Sequence, residues 1–149
     1  MSGRMIDRLS IDQLDGILNA LPIELIFVDE NDRLQYCNKP ERQQRMSEGK
    51  TLGRDIRSCH KAESLPRTEQ MLDDLRSGRK EEDEFWIDGL GVKLLNRFLA
   101  VRDESGRYLG CIEYLLDFSA LEELAKAKGD AHRFTSKPGK DPDQDGDEP

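Results

Sequence analysis

Apolar residues recur along this chain at two different periods, and each change of period marks a new element. From Ser10 to Leu21, the residues Ile11, Leu14, Ile17, Leu18 and Leu21 lie at helical spacing. They predict a helix with one apolar stripe, opened by a Ser10–Gln13 capping box and stopped by Pro22. Ile23 to Asp29 is an almost unbroken apolar run, the pattern of a strand buried on both faces. After the turn residues Glu30, Asn31 and Asp32, Arg33 to Asn38 alternates, with Leu34 and Tyr36 set against Arg33, Gln35 and Cys37. That predicts a half-buried strand with Leu34 and Tyr36 on one face.

From Lys39 to Ser64 the pattern lapses into polar and turn residues, with Met46, Leu52 and Ile56 as isolated apolar anchors for short helical turns. Irregular stretches of this length in a small domain are more often functional than not. A helix follows from Pro66 to Arg76, with Met71, Leu72 and Leu75 on one face and Gly78 as its stop. Glu84 to Ile87 reads as a third strand. Val92 to Val101 and Tyr108 to Leu116 read as a long hairpin about the turn Asp103–Gly106. Ser119 and Glu122 form a second capping box, predicting a helix over Leu121 and Leu124 that runs to Lys128.

Composition narrows the function classes. The 149 residues carry 23 Lys and Arg against 31 Asp and Glu, a net charge of −8, which argues against nucleic acid as a partner because a phosphate binder needs a concentrated basic face. No stretch has the roughly 20 consecutive apolar residues of a membrane span, and the N-terminus lacks the apolar core of a secretory signal. The expectation is a cytoplasmic protein with no membrane partner. Cys37, Cys59 and Cys111, odd in number and widely spread, fit reduced thiols. The organisation read from the chain is a flexible lead over 1–9, one domain over 10–128, and a disordered acidic tail over 129–149. The tail has no apolar residue after Phe134. Its Asp141, Asp143, Asp145 and Gly146 have the spacing of a calcium loop without the closing glutamate or flanking helices, so it reads as a solvated acidic segment.

The element order, with a hairpin running straight into an outgoing helix at Asp117-Phe118-Ser119, resembles the PAS domain family over roughly residues 10 to 125. Local matches are Val28-Asp29-Glu30-Asn31-Asp32, Leu52-Gly53-Arg54-Asp55, Arg102-Asp103-Glu104-Ser105-Gly106 and Tyr108-Leu109-Gly110. More narrowly, Leu21-Pro22-Ile23, Ser58-Cys59-His60, Phe85-Trp86-Ile87 and Phe98-Leu99-Ala100-Val101-Arg102-Asp103 resemble the PAS domains that accompany bacterial hemerythrin-like domains, with Lys61 where that group has Pro. The resemblance implies an α+β fold, a five-stranded antiparallel sheet with helices on one face and flanking helices at both ends. It also implies a sensory module rather than an enzyme, binding a small-molecule ligand or cofactor and acting through a signalling protein partner, with a homodimer as its own state.

On that resemblance the irregular middle segment forms one wall of a pocket. His60, or secondarily Cys59, would then be the axial ligand of a haem iron, making His60 the metal residue. Tyr36, Met71, Trp86, Phe98 and Leu116 would line the pocket, and Asn96 or Arg97 would hold a carboxylate or propionate. The plainer readings are that Cys59 is a small core residue, that His60 bonds a nearby turn, and that one of Asn96 and Arg97 faces water. A zinc site from Cys37, Cys59, His60 and Cys111 lacks chelating spacing, and no motif supplies an orienting acid for a Cys–His nucleophile. Two rivals to a general ligand sensor follow: a haem-based gas or redox sensor, and a ligand-free dimerisation adaptor.

Overall fold

The capping box of the first helix closes as its sequence dictates: Gln13 N–H donates to Ser10 Oγ at 3.0 Å and Ser10 N–H donates to Gln13 Oε1 at 2.9 Å. This opens α1 (Ile11–Ala20). The structure, a computed structural model, describes residues 3–38, 52–89 and 91–128. The acidic tail over 129–149 and the anchor Met46 lie outside the described residues. The lead, expected to be flexible, contains a 3-10 turn at Met5–Arg8, tied by an Arg4–Asp7 ion pair of 3.2 Å.

Five strands form one antiparallel sheet: β1 (Glu24–Asp29), β2 (Leu34–Cys37), β3 (Glu82–Gly89), β4 (Val92–Arg102) and β5 (Tyr108–Asp117), in the spatial order β2-β1-β5-β4-β3. The last strand therefore lies at the centre, between the first and the fourth, and β3 is an edge. Between β2 and β3 come 3-10 turns at Ile56–Cys59 and Ala62–Ser64, then α2 (Leu65–Ser77). Pro66 occupies the first turn of α2, where its missing N–H costs nothing, and Gly78 ends the helix at φ 79°. The buried core joins Ile26, Val28, Phe98 and Cys111 of the sheet to Ile56, Met71, Leu72 and Leu75 of the middle segment. Leu52, expected as an anchor, is 58% exposed.

Two register shifts set which side chains face the core. Phe27 pairs with Tyr36 and Val28 with Leu34, so Gln35 is an extra residue and β2 changes face across it. Leu34 and Tyr36, expected together, are on opposite faces. Between β4 and β5, Val101 pairs with Gly110 and Arg102 with Tyr108, which makes Leu109 the extra residue. Gly110 takes φ 141°, and a Cβ there would lie 2.1 Å from the Val28 carbonyl oxygen. Only glycine lets β1 approach so closely.

The chain divides into two units, Met1–Phe118 and Ser119–Pro149. The second contains nearly all of α3 (Phe118–Lys128). Because α3 begins at Phe118, Ser119 lies inside its first turn rather than at its cap, one residue away from the predicted start.

Candidate functional site

The site begins with a turn. Asp55 Oδ1 accepts the backbone N–H of Arg57 at 2.9 Å and the Asp55 carbonyl accepts the Ser58 hydroxyl at 2.7 Å, winding Ile56–Cys59 into a 3-10 turn. His60 closes it in an extended conformation, its N–H donating to the Arg57 carbonyl at 3.2 Å. Lys61 follows at φ −68° and ψ 150°. That is the φ a proline ring imposes, so Lys61 leaves the backbone where Pro would have put it.

Arg57 locks this turn to its surroundings. Its guanidinium reaches Glu69 of α2 at 2.6 Å, Asp32 at 3.0 Å and Asp55 at 3.2 Å. Asp32 sits in the turn between β1 and β2 at φ 62°, 6% exposed, and also meets Arg76 of α2 at 2.5 Å. The hydrogen bond to Glu69, with those to Asp32 and Asp55, pushes the Arg57 pKa up. The Arg57 N–H holds Asp55 below the usual carboxylate range, and the Arg57 side chain does the same to Glu69. Three segments distant in sequence are thus fixed around one buried carboxylate.

Between this clamped segment and the inner face of the sheet lies a cavity of about 780 Å³. Ile26, Leu34, Phe85, Asn96, Phe98 and Glu113 line it from the sheet. Ile56, Cys59, His60, Thr68 and Met71 line it from the middle segment, with Lys61, Ser64 and Arg67 beside them. Phe85 and Phe98 meet edge to face at 5.6 Å, and the Arg67 guanidinium stacks 3.8 Å above the Phe85 ring. Asn96 Nδ2 donates to Glu113 Oε1 at 3.1 Å, and both residues are buried.

The structure brings Cys59, His60, Met71, Asn96 and Phe98 together in the cavity wall. Trp86 touches the wall from the edge strand, but the residue is 57% exposed and its ring centre lies 5.4 Å from that of Phe118. Tyr36, Arg97 and Leu116 are not part of this wall. The bulge at Gln35 turns Tyr36 away, and strand alternation turns Arg97 to the other face, where it bonds Tyr114 Oη at 2.7 Å and pairs with Glu82. Of the two residues proposed to hold an anion, Asn96 faces in and Arg97 faces out. Among the described residues no group of three or more His, Cys, Asp or Glu converges as a metal site. Cys111 is buried beneath the sheet and its thiol is pushed up to about 12, so it is neutral and unreactive near neutral pH.

Glu113 escaped the sequence reading. The signal was there, since it is the one charged residue inside the apolar run Tyr108–Leu116, but the identity of the inward residues depended on the register of the bulge at Leu109. Thr68 continues the stripe of Met71, Leu72 and Leu75 at helical spacing and could have been found there, whereas Arg67, an exposed cation, carries no apolar signal that would place it at the cavity.

A family model described as a PAS domain matches residues 14–119, most of the chain. The chain belongs to the PAS domain family. This family is generally sensory and signalling, and generally non-enzymatic. Comparison with curated proteins finds no match. Among solved structures, a C-terminal domain of a Streptococcus mutans protein is 32% identical, with a TM-score of 0.68, covering 78% of this chain and 90% of that one. The PAS domain of Bordetella pertussis BvgS is 17% identical with a TM-score of 0.53, covering 79% of this chain and 96% of its own. The PAS domain of a Colwellia psychrerythraea protein is 12% identical with a TM-score of 0.52, covering 72% and 95%. These last two share the fold. Among the described residues no helix is long and apolar enough to cross a membrane.

Proposed function

We propose that this PAS domain is a ligand sensor: it takes a small organic molecule into the cavity and passes the bound state on by associating with a signalling protein. The observation that carries this is the cavity itself. Its volume of about 780 Å³ lies within the range of small-molecule sites, and its largely apolar wall contains the buried polar pair Asn96–Glu113. A core meant only to be filled would not bury a carboxylate beside open volume. We assign no catalytic step to it, and three cysteines that form no disulfide support a cytoplasmic setting. Native mass spectrometry of the purified protein tests the reading. The expected result is a bound small molecule in the wild type and its loss in Phe98→Trp, where the larger ring occupies the cavity. A wild type that stays empty and takes up nothing from metabolite extracts would leave the dimerisation adaptor instead.

A haem-based sensor is favoured by one observation: His60, with Cys59 beside it, lines the cavity. An imidazole there would supply the axial ligand, and bound haem would supply gas or redox chemistry. At the sheet end the unpartnered Asn96 Oδ1 and the Glu113 carboxylate disfavour a propionate, so the propionates would turn toward Lys61 and Arg67 on the helical side. Haem titration decides: ligation through His60 gives a Soret band that moves in His60→Ala and is unchanged in Cys59→Ser.

A further inference from the structure

The inner wall of the cavity is chemically narrower than its volume implies. Glu113 lies on the central strand β5 at 4% exposure and Asn96 on the neighbouring β4 at 8%. Register pairs Glu113 with Phe98 and Asn96 with Leu115, so the two polar residues are diagonal neighbours on the inner face. The 3.1 Å bond from Asn96 Nδ2 to Glu113 sets the amide's orientation, since the reverse orientation would press two acceptors together. Asn96 Oδ1 is then left buried without a partner. One of the amide's two N–H donors goes to the carboxylate, and the atom of the pair left unpaired is an acceptor, Asn96 Oδ1.

Resting on the reading of the cavity as a ligand site, we propose that this pair receives the protonated nitrogen of a small organic amine, whose apolar body fills the rest of the cavity. An ammonium N–H completes Asn96 Oδ1, and its charge opposes that of the Glu113 carboxylate where water is excluded. Phe98, opposite Glu113 in register, lines the same end and adds an aromatic ring to the site. Carboxylates and phosphates meet the reverse: acceptors facing acceptors, with a like charge behind them. The cations of the cavity, Lys61 and Arg67, are exposed and belong to the helical side, so an anionic group on the ligand would point there.

Three probes of one shape separate the ligand chemistries: tryptamine, tryptophol and indoleacetate, titrated into the full chain and followed by amide NMR shifts of cavity residues. The expected result is that tryptamine binds at least about tenfold more tightly than tryptophol, that indoleacetate binds more weakly still, and that Glu113→Gln removes the preference. If Glu113→Gln fails to fold, Asn96→Ala serves, with tryptamine affinity falling several-fold and tryptophol affinity little changed. Equal or tighter binding of tryptophol or indoleacetate at the cavity overturns the amine assignment and leaves the cavity a ligand site. An amine preference that survives both substitutions also overturns it, as does binding by none of the three, in which case native mass spectrometry alone decides the sensor reading.

Discussion

Single residues in this domain act through what they hold in place. Arg57 bonds one buried and two more exposed carboxylates on three different segments. Arg57→Met should cost about 2 kcal/mol in chemical denaturation, less than breaking an isolated buried pair because Arg76 still meets Asp32. Asp55 and Glu69, both held below their ordinary pKa, add a pH signature. Stability they contribute is present above the unfolded carboxylate pKa, near 4, and is lost as pH falls through the depressed folded values. The wild type should therefore destabilise on acidification below about pH 4, and Arg57→Met should show a flatter profile there in the same melts. Gly110→Ala is a harsher change: with the Val28 carbonyl 2.1 Å from the added carbon, β1 must move away from β5, at about 3 kcal/mol or more by denaturant titration.

Elements here are joined by side chains that reach backbone groups no strand or helix can satisfy. Asn38, fully buried just after β2, accepts the Leu25 N–H at 2.7 Å and donates to the Leu18 and Ile23 carbonyls at 2.9 and 3.0 Å. It therefore ties α1, the Pro22 turn and β1 together. Asn38→Leu keeps the volume and strands all three groups, so a loss of about 3 kcal/mol is expected, with amide exchange accelerating first in α1. The capping box of α1 is the milder case: Ser10→Ala should cost about 1 kcal/mol, since the helix buries no residue and depends on its local bonds.

At the scale of the whole molecule, α1 leaves Ile11 84% and Ile17 50% exposed. Its stripe is wider than what the fold covers, which is why we expect a second copy of the chain to cover it. Light scattering should show a dimer that Ile11→Asp with Ile17→Asp converts to monomer while circular dichroism is unchanged. A strict monomer at high concentration in the wild type removes this expectation. The acidic segment after Gly129 has too little apolar content to stabilise a core, so truncation there should leave the melting temperature within scatter.

Hydrophobic period and turn chemistry determined, from the sequence alone, the five strands, α1 and α2, their caps at Ser10 and Gly78, and the PAS resemblance, because each depends on residues within a few positions of one another. The PAS resemblance, rather than any local pattern, named Cys59, His60, Met71 and Phe98 as wall residues, and it left Asn96 and Arg97 as alternatives until the facing of the strand was known. What only the tertiary structure decided turned on register. One extra residue at Gln35 moved Tyr36 to the far face, and one at Leu109 settled that Glu113 faces inward beside Asn96. A bulge inverts every side chain beyond it at almost no cost in composition, and it forms or not according to the partner strand, which lies far away in sequence. The cluster of Arg57, Arg76 and Asp32 was hidden likewise, since opposite charges 25 and 44 positions apart meet only when the middle segment folds back on the first hairpin.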